Sequence, residues 1–149
     1  MRPTPTILAA TATLSTALPT TPISPRAGAP YIIPIPPTCT ITNPLPPCPS
    51  SIPAPTTQTL YTAYYPSFTT NTTAMALQCL QQCYGYGNHT QCKSAFWAEN
   101  MVTPQGYYGS QGGQLQTACL LFGRELKAGD FVGAPEGQGT GGVAGNIFC

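Results

Sequence analysis

The residues best suited to chemistry lie in one short stretch, ALQCLQQCYGYGNHTQC, from Ala76 to Cys92. It holds Cys79, Cys83, Cys92 and the only histidine of the chain, His89. Three thiols and an imidazole could in principle supply the four ligands of a tetrahedral zinc ion. The C-x3-C-x8-C spacing lacks the paired knuckles of structural zinc motifs, however, and the chain has no C-x-x-C redox pair. Nucleophilic catalysis fares no better, because a Ser or Cys needs a neighbouring base and His89 has no G-x-S-x-G or equivalent setting. The carboxylates Glu99, Glu125, Asp130 and Glu136 show no spacing that singles out a glycosidase pair. GQGTGGVAG (137–145) has neither a preceding strand nor a following lysine, so it reads as a flexible loop and not as a phosphate cradle. The sequence therefore predicts no catalytic centre, no metal and no cofactor.

Covalent scaffolding accounts for the cysteines better. On a helix, Cys79 and Cys83 are four residues apart on one face and cannot easily bond each other. Each must reach outside the helix: Cys83 can pair with Cys92 at the start of the next strand, and Cys79, one turn earlier, with Cys119 on a second strand. Each staple contributes roughly 2 to 4 kcal/mol, comparable to the whole stability of a small domain.

The elements that carry these residues are legible in outline. Asn71, Thr72 and Thr73 offer caps before a helix written AMALQCLQQCY, with Gly85 as its stop. SAFWAENMV (94–102) and TACLLFG (117–123) read as strands, TPQGYYGSQGGQ between them as a turn-rich connection, and the tail GNIFC as a third strand. Strand alternation sends Phe96 and Trp97 to opposite faces. Phe96 is expected to be buried with Leu121 or Phe122, leaving Trp97 a candidate for the surface. Connections too short for helical crossovers favour an α+β fold, a small disulfide-stapled antiparallel sheet packed on one helix, over residues 58–149. About 90 residues make a marginal core unless cross-linked.

The front of the chain differs. Met1 and Arg2, followed by the uncharged, mildly apolar ILAATATLSTAL, read as an export signal over residues 1–17 with cleavage after Ala17; later cuts or a non-exported head are the alternatives. Residues 18–57 carry prolines every few positions and read as a Pro/Thr/Ser-rich extended stalk, part of which is apolar enough to lie against the folded half. Charged residues are only 6% of the chain and nearly balanced, so nucleic acid and anionic membranes are poor partners. No stretch approaches the roughly 18 apolar residues of a membrane span. Seven cysteines suit an oxidising compartment, and the odd count leaves one unpaired, lost in maturation or joined to a disulfide-linked partner chain. Asn71-Thr72-Thr73 and Asn88-His89-Thr90 are glycosylation sequons, used or unused, whereas Asn43 precedes proline and is excluded.

QCLQQC, then CKSAFWAEN, then ACLLFG together resemble the PAN/Apple domain in the form found in secreted fungal proteins, over about Leu60 to Cys149. The resemblance implies a short antiparallel sheet cradling one helix, with two helix-to-sheet disulfides and a third joining the termini. That third bond would link Cys149 to Cys39 or Cys48; the other arrangement, Cys39 with Cys48, leaves Cys149 free. It also implies a module that binds protein or carbohydrate without chemistry of its own. Exposed aromatic planes suit the C–H faces of sugar rings, which makes Tyr86, Trp97, Tyr107 and Tyr108 the expected ligand-binding residues. The resulting expectation is a secreted, extracellular or cell-wall binding module for carbohydrate or an extracellular protein. The rival is a structural wall or host-directed glycoprotein in which the domain is a stable cap.

Overall fold

Ser94–Val102 begins with five fully buried residues, so both faces of this strand need cover. The fold supplies it from opposite sides. A computed structural model describes residues 31–149; the expected export segment, and the stalk as far as residue 30, lie outside the described residues. The elements are β1 (Thr40–Thr42), β2 (Ser51–Pro53), β3 (Tyr61–Tyr65), α1 (Thr72–Gly85), β4 (Ser94–Val102), β5 (Leu115–Phe122), β6 (Phe131–Gly133) and β7 (Thr140–Phe148). Five strands form an antiparallel sheet in the order β1-β7-β4-β5-β3, with β4 at its centre, and β2 pairs with β6 in a separate two-stranded sheet. This is the α+β architecture expected, one helix on a disulfide-stapled antiparallel sheet.

Helix α1 covers one face. Asn71 caps it, its side-chain oxygen accepting the Ala74 N–H at 3.0 Å, and the helix buries Met75, Ala76, Cys79, Leu80 and Cys83. These meet Ala95, Trp97, Leu121 and Ile147 in one apolar cluster. The opposite face packs Phe96, Leu120 and Phe122 against Leu126 and Phe131, with Leu45 and Ile52 from the Pro-rich segment beside them. Buried Asn146 holds this side shut: it accepts the Leu126 N–H and donates to the Leu126 carbonyl, both at 2.9 Å. Phe96 is therefore buried with Phe122, as expected.

All three expected kinds of disulfide are present. Cys79 joins Cys119 across 5.6 Å between Cα atoms, Cys83 joins Cys92 across 5.2 Å, and Cys149 takes Cys39 and not Cys48. Cys48 is unpaired and exposed. Three disulfides fit an oxidising, extracellular setting, and among the described residues no helix is long and apolar enough to cross a membrane.

Three local expectations need correction. The boundary drawn at residue 58 falls inside the folded unit: Thr40–Thr42 pairs with Asn146–Phe148, and Ser51–Pro53 with Phe131–Gly133. Short edge strands tolerate flanking prolines because their outer donors need no partner, and periodicity does not reveal a three-residue strand. The glycine-rich stretch is a turn only at residues 137–139, since β7 begins at Thr140. Its glycines reflect close packing: a Cβ at Gly145 would lie 2.7 Å from Leu80 Cδ2 and 2.9 Å from Ile41 Cγ2. Gly85 is the last helical residue and not the residue after the helix, with Tyr86 closing the end through an N–H to the Cys83 carbonyl at 3.0 Å. A side chain at Gly85 would collide with the Tyr31 carbonyl and Ile33, which pass the helix end there.

Candidate functional site

The tyrosine-rich segment YTAYY forms β3, an edge strand of the five-stranded sheet that carries tyrosines on both of its faces. Tyr61 leans over the helix side of the sheet, where its ring lies 6.2 Å from that of Tyr86 just past the helix end. Tyr64 projects to the other side. There the turn Tyr107–Gly109 folds back on β3, placing the Tyr107 ring edge-on to Tyr64 at 5.0 Å. The Tyr107 hydroxyl accepts the Tyr64 backbone N–H at 2.9 Å, satisfying a donor that the edge strand would otherwise leave open. Tyr108 stands edge-on to Tyr107 at 4.7 Å and is 76% exposed.

These phenols flank one edge strand from its two sides. The pKa of Tyr61 is raised first by burial and then by the nearby Tyr108, Tyr107 and Tyr86 phenols. That of Tyr64 is raised by burial and by Tyr107. Both hydroxyls stay protonated at physiological pH and can donate as well as accept hydrogen bonds. The face can therefore offer aromatic planes and hydroxyls together, a combination suited to a polyhydroxylated ligand.

Of the four aromatic residues expected at the site, Tyr86 lies beside Tyr61 on the helix side of edge strand β3, Tyr107 and Tyr108 lie by Tyr64 on its other side, and Trp97 lies with neither group. Trp97 is 1% exposed, sealed beneath α1. The expectation of a surface tryptophan fails because β4 is the central strand and neither of its faces meets solvent. Tyr61 and Tyr64 complete the two groups. The sequence signal that finds them is the concentration of tyrosine in YTAYY, a residue type that favours strands.

The remaining polar candidates are dispersed. His89 stacks on Tyr84 at 4.2 Å and its Nδ1 donates to the Tyr84 carbonyl at 2.6 Å, since a carbonyl can only accept. Asp130 forms a two-pronged ion pair with Arg124. Glu99 is held by Ser67, while Glu125 and Glu136 are exposed. Among the described residues no group of three or more His, Cys, Asp or Glu is gathered as a metal site, and Cys79, Cys83 and Cys92 are consumed in disulfides. Both sequon asparagines are exposed: Asn88 on the loop after α1 with φ 54°, and Asn71 at the helix cap. Comparison with protein-family models, curated proteins and solved structures gives no match to this chain.

Proposed function

We propose that the protein is a secreted, non-catalytic binding module of PAN/Apple-like type that recognises carbohydrate or a cell-surface glycoprotein through Tyr61, Tyr86, Tyr107 and Tyr108. The observation that carries this reading is Tyr108. A tyrosine that is 76% exposed and held at φ 45°, ψ 37° combines an unfavourable contact with water and an unfavourable backbone conformation. Its edge-on contact with Tyr107 still leaves most of the ring in water, and a rigid aromatic plane presented to solvent favours binding. The PAN/Apple-like assignment is supported by the two helix-to-sheet disulfides and by the third between Cys39 and Cys149.

The test is retention of the secreted protein on insoluble chitin, glucan and mannan. One of these should retain it, and Tyr108→Ala and Tyr86→Ala should each weaken retention by up to about tenfold. Passage through all three matrices, or full retention of both variants, would show that this face is not the binding surface.

A further inference from the structure

Strand β4 loses register with β5 between Ala98 and Met101 and with β7 between Trp97 and Glu99, and Asn100 sits in the break at φ 56°. A bulge of this kind re-aims side chains. Here it brings Glu99 and Asn100 to the surface directly after five buried residues. Two adjoining depressions, of about 500 and 330 Å³, share Ser67 and Glu99. Phe68 lines the first, 63% exposed and stacked on Tyr65 at 6.0 Å and 29°. Asn100 and Gln116 line the second.

The carboxylate is positioned by a directed chain of hydrogen bonds. Ser67 donates to Glu99 Oε1 at 3.1 Å, so its own oxygen receives the proton of buried Thr117 at 2.6 Å. Glu99 Oε2 takes no hydrogen bond from a described residue, and neither depression is lined by lysine or arginine. Among the described residues the groove thus presents one positioned negative charge with no cation in its lining, one exposed aromatic ring and a row of hydroxyls and amides.

We infer that this groove is a second binding site, separate from the tyrosine face, for a saccharide that carries a free amino group. Its ammonium meets Oε2, where the hydrogen bond is charge-assisted, and it also lies near the face of Phe68. The ring's C–H face covers the phenyl plane, and its hydroxyls reach Asn100 and Gln116. Asn100 already donates to Thr140 Oγ1 at 3.1 Å and Gln116 already accepts from Thr103 Oγ1 at 2.9 Å, which leaves Asn100 Oδ1 and the Gln116 amide N–H groups for the ligand; a lysine side chain would use neither, which favours the sugar. No residue lining the groove belongs to the tyrosine face, so the inference stands or falls independently of it.

Titration calorimetry of the whole secreted protein with a glucosamine tetramer, at mildly acidic pH where the amine is protonated, tests the site. Glu99→Gln and Phe68→Ala should each weaken binding about tenfold, while Tyr108→Ala leaves it unchanged. Both substitutions are at the surface, and matching melting curves verify that they fold. Absence of binding, wild-type affinity in both variants, or equal binding of the N-acetylated tetramer would overturn the proposal. Displacement by a lysine oligomer as effective as by the sugar would identify the ligand as a cationic peptide and overturn it too. Loss of polysaccharide retention in Tyr108→Ala with amino-sugar binding intact would separate the two sites.

Discussion

Trp97 lies where helix, sheet and disulfide meet. It pairs with Cys119 on β5 and Val143 on β7, and packs in the same cluster as Met75, Leu80 and the Cys79–Cys119 bond. Its indole N–H is buried without a hydrogen-bond partner among the described residues, and the neighbouring Tyr65 phenol has its pKa raised by burial with the indole opposing that rise. A buried donor without a good acceptor is tolerated only when the ring's packing outweighs it. Trp97→Ala should therefore lose about 3 to 5 kcal/mol in urea unfolding, and Trp97→Phe much less, because phenylalanine retains most of the volume and removes the unsatisfied donor. A loss below about 1 kcal/mol in Trp97→Ala would mean that the residue is not the centre of this core. The same residue marks what a sequence conceals. Alternation correctly separates Phe96 from Trp97, but only the strand order reveals that both sides are interior.

At the scale of elements, the segment between β5 and β6 is held by a compact polar device. Arg124 grips Asp130 with two nitrogens at 2.8 and 2.6 Å, and Asp130 also accepts the Lys127 N–H at 2.8 Å. The Arg124 hydrogen bond first, and the Lys127 N–H second, hold the Asp130 carboxyl at about 2, below its ordinary 3.8. A depressed carboxylate contributes stability that is complete above the unfolded value and disappears as pH falls through the folded one. Thermal stability should accordingly drop between pH 3.8 and about 2, and Asp130→Asn should flatten that part of the profile. Arg124 is exposed and Asp130 half-buried at the surface, where solvent screens the pair, so the melting temperature at neutral pH should fall by only roughly 2 to 4 °C. An unchanged acid limb in the variant would assign the drop to other groups. The helix was readable from its period, and β4 and β5 from apolar runs bounded by turn residues; β1, β2 and β6 have three residues apiece and are too short to show either. Of the tyrosine face, Tyr86, Tyr107 and Tyr108 are recognisable by composition. Glu99 and Phe68 come together only through the bulge in β4, which no local pattern announces.

For the molecule as a whole, the Pro-rich segment is part of the folded unit. Thr40–Thr42 closes one side of the five-stranded sheet, and Cys39–Cys149 fastens that strand to the end of β7 across 110 residues of sequence. The other two disulfides bind α1 to the sheet interior at Cys119 and at the entry to β4. A bond closing a long loop removes more entropy from the unfolded chain, up to about 5 kcal/mol, than does the short Cys83–Cys92 loop. It lies at the sheet edge, however, with Cys39 only partly buried against the core around Trp97 and Cys149 exposed. Replacing Cys39 and Cys149 together by Ser should lower global stability by a few kcal/mol and raise hydrogen exchange most in β1 and the last residues of β7, leaving the β4–β5 ladder the slowest to exchange. Cys39→Ser alone should do worse under oxidising conditions, because the released Cys149 can then bond exposed Cys48 or another chain. Equal acceleration of exchange in β4 and β5 would show instead that the terminal bond and the core open as one unit.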